Sequence, residues 1–187
     1  TGQCTPAVVR AIENEVTAHN GSAPEADLTQ ISATAATLLQ QIEDTGFADL
    51  LLPEDAGGAG LALRDTFAVW DLLGQHAMPL PLAETMLARA WLVAVGMAVP
   101  QGAIALAPHL LVEGGGLCAT GVRGARVAQW VLGQQGGDLL LLPVAGAQAS
   151  PSIFVLDADL HWKAETLASA TRVAAPASLL VAQAGLV

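Results

Sequence analysis

Two adjacent carboxylates, Glu54 and Asp55, head a glycine-rich string that runs Pro53-Glu54-Asp55-Ala56-Gly57-Gly58-Ala59-Gly60-Leu61. Neighbouring acids can share a proton in acid–base work, and clustered glycines can cradle a phosphate. The spacing favours neither. Consecutive side chains rarely converge, so the two acids read as solvated surface groups. The string lacks Gly-Lys-Ser/Thr and the G-x-G-x-x-G order, and its carboxylates stand where an anion would have to come. It reads instead as a corner between helices, with glycine supplying positive φ.

Other chemistry-bearing residues are scattered. His19, His76, His109 and His161 show no H-x-x-x-H or carboxylate spacing, so no metal site is expected. Cys4 and Cys118 are far apart and form no CxxC pair, which suits two unpaired thiols in a cytoplasmic protein. Cys118 lies in a strand-like run and is expected to act as a small buried apolar residue. Glu84 and Thr85 follow Pro81 at a helix start, where an acid is favoured by the helix dipole.

The elements that must position these groups change character near the middle of the chain. Thr5-Pro6 caps a first helix with Val8, Val9, Ile12 and Val16 at helical spacing, closed by Asn20-Gly21. Leu28, Ile31, Ala35, Leu38, Leu39 and Ile42 form a second stripe that ends near Gly46. Arg64 or Asp65 opens another helix, with Phe67, Val69, Trp70, Leu72 and Leu73 inside it. Leu82 to Val95 is almost wholly apolar and predicts a buried helix. From about Gly102 the pattern turns to short apolar runs: AIALAP, LVEGGGLCATGV, AQWVLGQ, DLLLLPV, SIFVLDA and RVAA. Turns are expected at Glu113–Gly116, Gln135–Asp138 and Ala145–Pro151. Helices followed by strands, without alternation, predict an α+β chain. Residues 1–100 would form a helical bundle and residues 101–187 an antiparallel, barrel-like β-domain.

Composition bounds the partners. Of 187 residues, 53% are apolar and 13% charged, which implies a large buried area and a surface covered by another subunit or domain. Seven basic residues against seventeen acidic ones, a net charge of −10, exclude an electrostatic footprint for nucleic acid and disfavour anionic membranes. No apolar run reaches the length of a membrane span, because Arg89, Gly96 and Pro100 interrupt the longest.

The string GFADLLLPEDAGGAGLALRDTFAVWDLLGQHAMPLPLAETMLA resembles the helical N-terminal domain of the acyl-CoA dehydrogenase family. The resemblance is carried by Gly46-Phe47, Leu50 to Leu52, the Pro53 to Leu61 string, Leu73-Gly74 and PLPLAETMLARAWL, over about residues 42–97. More weakly, the second half is similar to the family's β-domain in strand order and turn placement. The family's activity implies an FAD-dependent oxidation of the α,β bond of an acyl-CoA thioester, with electrons passed to an electron-transfer flavoprotein. It also implies a homo- or hetero-oligomer. By resemblance, Ala105, Leu106 and Ala107 align with the segment that contacts the flavin, while Glu84 and Thr85 fall on the helix that lines the acyl pocket.

This chain departs from the family in three places. Ala105-Leu106-Ala107-Pro108 replaces a Thr-Glu-Pro-like segment, and no Gly-Ser-Asp follows, so only backbone contacts to a flavin remain. Val122-Arg123-Gly124 passes directly toward the next strand, with Trp130 as the nearest aromatic. The family's third, helical domain, which carries the catalytic Glu in most members, matches nothing here, so no catalytic residue is assigned. The implied alternative is a flavin-deficient, non-catalytic subunit or an interaction module of the same fold.

Overall fold

A computed structural model describes residues 25–173, apart from 77, 79, 137 and 153–155. The helix expected over Pro6 to Asn20, Cys4 and His19 lie outside the described residues. Two compact units divide between Thr34 and Ala35. Of the first, the described part is residues 25–34, the opening of helix α1 (Glu25–Asp44). The second unit, Ala35–Val187, holds the rest of α1 and every other described element.

Among the described residues, helices α2 (Leu63–Gln75) and α3 (Leu82–Ala94) come next, with short 3-10 turns at Phe47–Asp49 and Glu54–Ala56. Eight strands follow among the described residues: β1 (Ile104–Ala107), β2 (Leu111–Glu113), β3 (Gly116–Val122), β4 (Trp130–Gln135), β5 (Asp138–Pro143), β6 (Ala147–Pro151), β7 (Ala158–Trp162) and β8 (Thr171–Val173). The α+β class and the order of helices then strands are as expected. No helix among the described residues is long and apolar enough to cross a membrane.

The barrel is corrected. The strands form two separate four-stranded sheets, ordered β1-β4-β5-β8 and β2-β3-β7-β6, and neither closes. Nor is the pairing wholly antiparallel, because β1 runs parallel to β4. A parallel neighbour needs a long crossover, and residues 108–129 supply one that carries the β2–β3 hairpin. The edge of β1 is occupied by a helix: Ile104 N–H donates to Thr85 Oγ1 on α3 at 2.9 Å. Ala147–Pro151, expected as a turn, is strand β6 paired with β7. The direct passage expected after Gly124 is a run of turns over residues 123–129, with Ala125, Val127 and Ala128 buried.

Burial explains the two kinds of strand. The first sheet is covered on both faces. Ala105, Val131, Leu140 and Leu142 pack toward Leu117, Ala119, Leu160 and Trp162 of the second sheet. On the other face, Ile104, Leu132, Leu139 and Leu141 pack on Ala88 and Leu92 of α3. Hence Leu139 to Leu142 is an unbroken apolar run, as strands buried on both sides require. The second sheet is buried mainly on one face, so β7 alternates. Helix α3 is apolar on a second side as well, where Leu82, Met86 and Ala90 meet Ala48, Leu51 and Leu52 in a third cluster. On α2 the apolar residues do not all turn inward: Phe67 is 66% and Leu72 52% exposed.

Candidate functional site

The glycine string folds back on itself and uses its own donors. Gly57 N–H donates to Glu54 O, Gly58 to Pro53 O, Gly60 to Leu52 O at 2.7 Å and Leu61 to Leu50 O. Those amides are taken, so they cannot converge on a phosphate. Gly57 has φ +86°, and a Cβ on Gly58 would overlap Leu52 O and Cβ. Glycine is therefore required there by backbone conformation and by close approach. Glu54 and Asp55 are exposed beside it.

Beyond this corner, one stripe of α3 is polar and buried. Thr85 and Arg89 lie one turn apart, at 0% and 4% exposure. The Thr85 hydroxyl donates to Pro81 O at 2.8 Å and accepts from Ile104 N–H, which ties α3 to the start of β1. Arg89 forms an ion pair with Glu43 of α1 through Nη2, and Nη1 donates to Asp49 at 2.9 Å. Nη2 also donates to Gly102 O, and the Glu43 carboxylate accepts from Gly102 N–H. Gly102 sits at φ +98°, with the Gln129 side chain where a Cβ would go. Glu43, Asp49, Arg89 and Gly102 thus clamp the last turn of α1, the 3-10 turn, α3 and the lead into β1. Among the described residues, Arg89 Nε and Trp91 Nε1 are buried without a hydrogen-bond partner.

The clamp forms one wall of a cavity of about 670 Å³, lined also by Gln40, Asp44, Met97 and Gln101. The volume lies in the range of small-molecule sites. Its charge does not suit a CoA thioester: three carboxylates line it, and the one guanidinium is already held by two of them. An anionic phosphate would meet net negative charge. A second cavity, about 180 Å³, is lined by Glu84 with Leu80, Pro81, Arg123 and Asp157. Glu84 therefore faces a pocket, though one smaller than acyl-CoA requires. Thr85 lies outside it, in the interior.

The positions aligned with the flavin segment are apolar and packed. Ala105 is 0% and Ala107 3% exposed. Leu106 is partly buried against the cluster that holds Trp91, Met97 and Trp130. Nothing on these three side chains donates or accepts a hydrogen bond, so only their backbone could meet a flavin. Trp130 stands on β4, inside the sheet, and its indole N–H donates to Gln101 O at 2.9 Å.

Replacing Thr85 by Val keeps the shape and removes the hydroxyl. Ile104 N–H is then left unpaired at 0% exposure, and we expect a loss of about 2 kcal/mol in denaturant unfolding. A change below about 0.5 kcal/mol would mean that the α3–β1 junction does not depend on this bond.

Sequence reasoning missed one cluster. Glu113, Cys118 and His161 come together on the second sheet, their side-chain ligand atoms all within 4.8 Å of one another. Strand register does this: Cys118 opposes His161 across β3 and β7, and Glu113 reaches in from β2. Separations of 5 and 43 residues match no sequence motif. Only the period-2 alternation of the strands could have placed these residues on one face.

No protein-family model matches the chain. An acyl-CoA dehydrogenase from Mycolicibacterium smegmatis, IpdE2, is 43% identical to it over 58 residues, 31% of this chain and 19% of that protein. The ChsE4-ChsE5 complex from Mycobacterium tuberculosis contains a chain similar in fold, with TM-score 0.52 and 13% identity, over 89% of this chain and 61% of that one. The chain thus spans under two thirds of the solved chain, and its match covers about a fifth of the curated relative. The matched segment is similar to an acyl-CoA dehydrogenase and the fold to that of a chain in the ChsE4-ChsE5 complex, which together support a divergent acyl-CoA dehydrogenase-like chain.

Proposed function

We propose that this chain is a flavin-deficient, acyl-CoA dehydrogenase-like subunit that completes its active site with a partner chain. The carrying observation is the apolar, buried Ala105-Leu106-Ala107 strand, where a flavin would find only backbone. In this reading the partner supplies the side chains that meet FAD, the catalytic carboxylate and the acyl-CoA pocket. This chain contributes a wall of packed helices and sheets. The assembly oxidises an acyl-CoA thioester and passes electrons to an electron-transfer flavoprotein. The apolar side chains of Phe47, Phe67 and Leu72, each about half exposed or more, support a covering partner. The similar solved chain belongs to a two-component complex, which agrees with that assembly.

The test is the visible absorbance of the purified protein, alone and co-expressed with acyl-CoA dehydrogenase-like chains. The expected result is a colourless protein alone and a yellow complex whose flavin bleaches on adding acyl-CoA. Stoichiometric flavin in the lone chain would overturn the proposal in favour of a self-sufficient dehydrogenase. Absence of colour in every combination would leave an interaction module of the same fold.

A further inference from the structure

We propose that Glu113, Cys118 and His161 form a three-ligand site for a borderline divalent transition-metal ion, Zn²⁺ in the first instance. The site sits on the outer face of the second sheet, and a water takes the fourth position. One thiol sulfur, one imidazole nitrogen and one carboxylate oxygen make a zinc donor set, not a calcium or magnesium one.

The geometry is close to what the ion needs. Tetrahedral zinc holds such atoms roughly 3.4–3.6 Å apart. Cys118 Sγ already lies 3.4 Å from Glu113 Oε2, as donor to that carboxylate. The remaining separations stay within 4.8 Å, so small side-chain rotations close the set. The backbone below is fixed by pairing. Leu111 opposes Cys118, Cys118 opposes His161, and His161 opposes Gln148, which makes one row across all four strands of the sheet. The ligands therefore come from three adjacent strands, and an ion would fasten β2 and β7 to β3.

Two carboxylates flank the thiol. Burial pushes the Cys118 thiol up, the Glu113 carboxylate that accepts its hydrogen bond pushes it the same way, and Asp159 adds to both. The same two carboxylates attract a cation. Binding displaces the thiol proton to solvent, the sulfur, imidazole and carboxylate each donate a lone pair, and no electron changes hands. Cys118 is 3% exposed, whereas Glu113 and His161 are exposed, so the ion enters from the solvent side.

The test titrates the chelator-stripped full chain with Zn²⁺ alone, followed calorimetrically at neutral pH. The expected result is one-to-one binding that Cys118→Ser and His161→Ala each weaken by more than about tenfold. Cys4→Ser and His76→Ala should leave it unchanged. His161 is exposed, so its removal spares the fold. Co²⁺ should give a thiolate-to-metal absorption band that Cys118→Ser abolishes. Undetectable binding would overturn the site. So would an affinity unchanged in His161→Ala, or a signal removed by Cys4→Ser.

Discussion

Arg89→Ala is expected to destabilise the protein by about 3 kcal/mol, a fall of roughly 10 °C in Tm for a chain of this size. The Arg89 side chain is 5% exposed and its guanidinium bridges Glu43 and Asp49, whose side chains are 20% and 29% exposed. Removing it leaves two half-buried carboxylates without their shared cation, together with an unpaired Gly102 carbonyl. Partial access to water holds the cost at the low end of the range for broken buried pairs. The discriminating measurement is a mutant cycle. Arg89→Ala in a Glu43→Gln, Asp49→Asn background should cost less than half as much, because no uncompensated charge remains. Equal costs in both backgrounds would show that Arg89 acts through packing of its stem and not through the clamp.

Trp162→Ala should cost more, about 4 kcal/mol, and should broaden the unfolding transition. Trp162 is 1% exposed at the end of β7 and lies in the cluster shared by the two sheets. Its indole N–H donates to Pro143 O at 2.9 Å, at the end of β5, so one side chain both fills the space between the sheets and bonds them. Trp162→Phe separates the two parts. It keeps most of the buried ring and loses the bond, for about 1 kcal/mol plus a cavity contribution. If Trp162→Phe proved as damaging as Trp162→Ala in denaturant melts, the hydrogen bond and not the ring would hold the sheets together. If neither changed stability, the two sheets would not be joined through Trp162 at all.

The helices were legible because their signals are local. Ala35 and Leu39 of the second stripe are buried, and α3 covers Leu82–Ala94 as its apolar run implies. The glycine corner was legible for the same reason: Gly58 has no room for a side chain, and Gly57 requires positive φ. Three of the four strand runs outside the hairpin and the undescribed 153–155 segment kept their places: AIALAP and DLLLLPV contain β1 and β5, and AQWVLGQ covers all of β4 but Gln135. The short RVAA run overlaps β8. The polar segment Ala147–Pro151 hid strand β6, because an edge strand with four of its five residues exposed carries no apolar alternation.

What the residues determined alone was class, order and the absence of a polar side chain at one place. Helices precede strands, the Pro53–Leu61 string is a corner, and no polar side chain stands at residues 105–107, since side-chain identity needs no fold to be read. What tertiary structure decided was every relation between distant residues. It broke the expected barrel into two sheets, because the edge of β1 is held by Thr85 and β4 joins β1 in parallel. It turned Arg89 from an interruption of an apolar run into a clamp on Glu43 and Asp49, 46 and 40 residues away. It set Glu113, Cys118 and His161 side by side. Periodicity reports which face of an element is buried, but strand register and helix packing select which faces meet, and both depend on contacts that no short stretch of sequence contains.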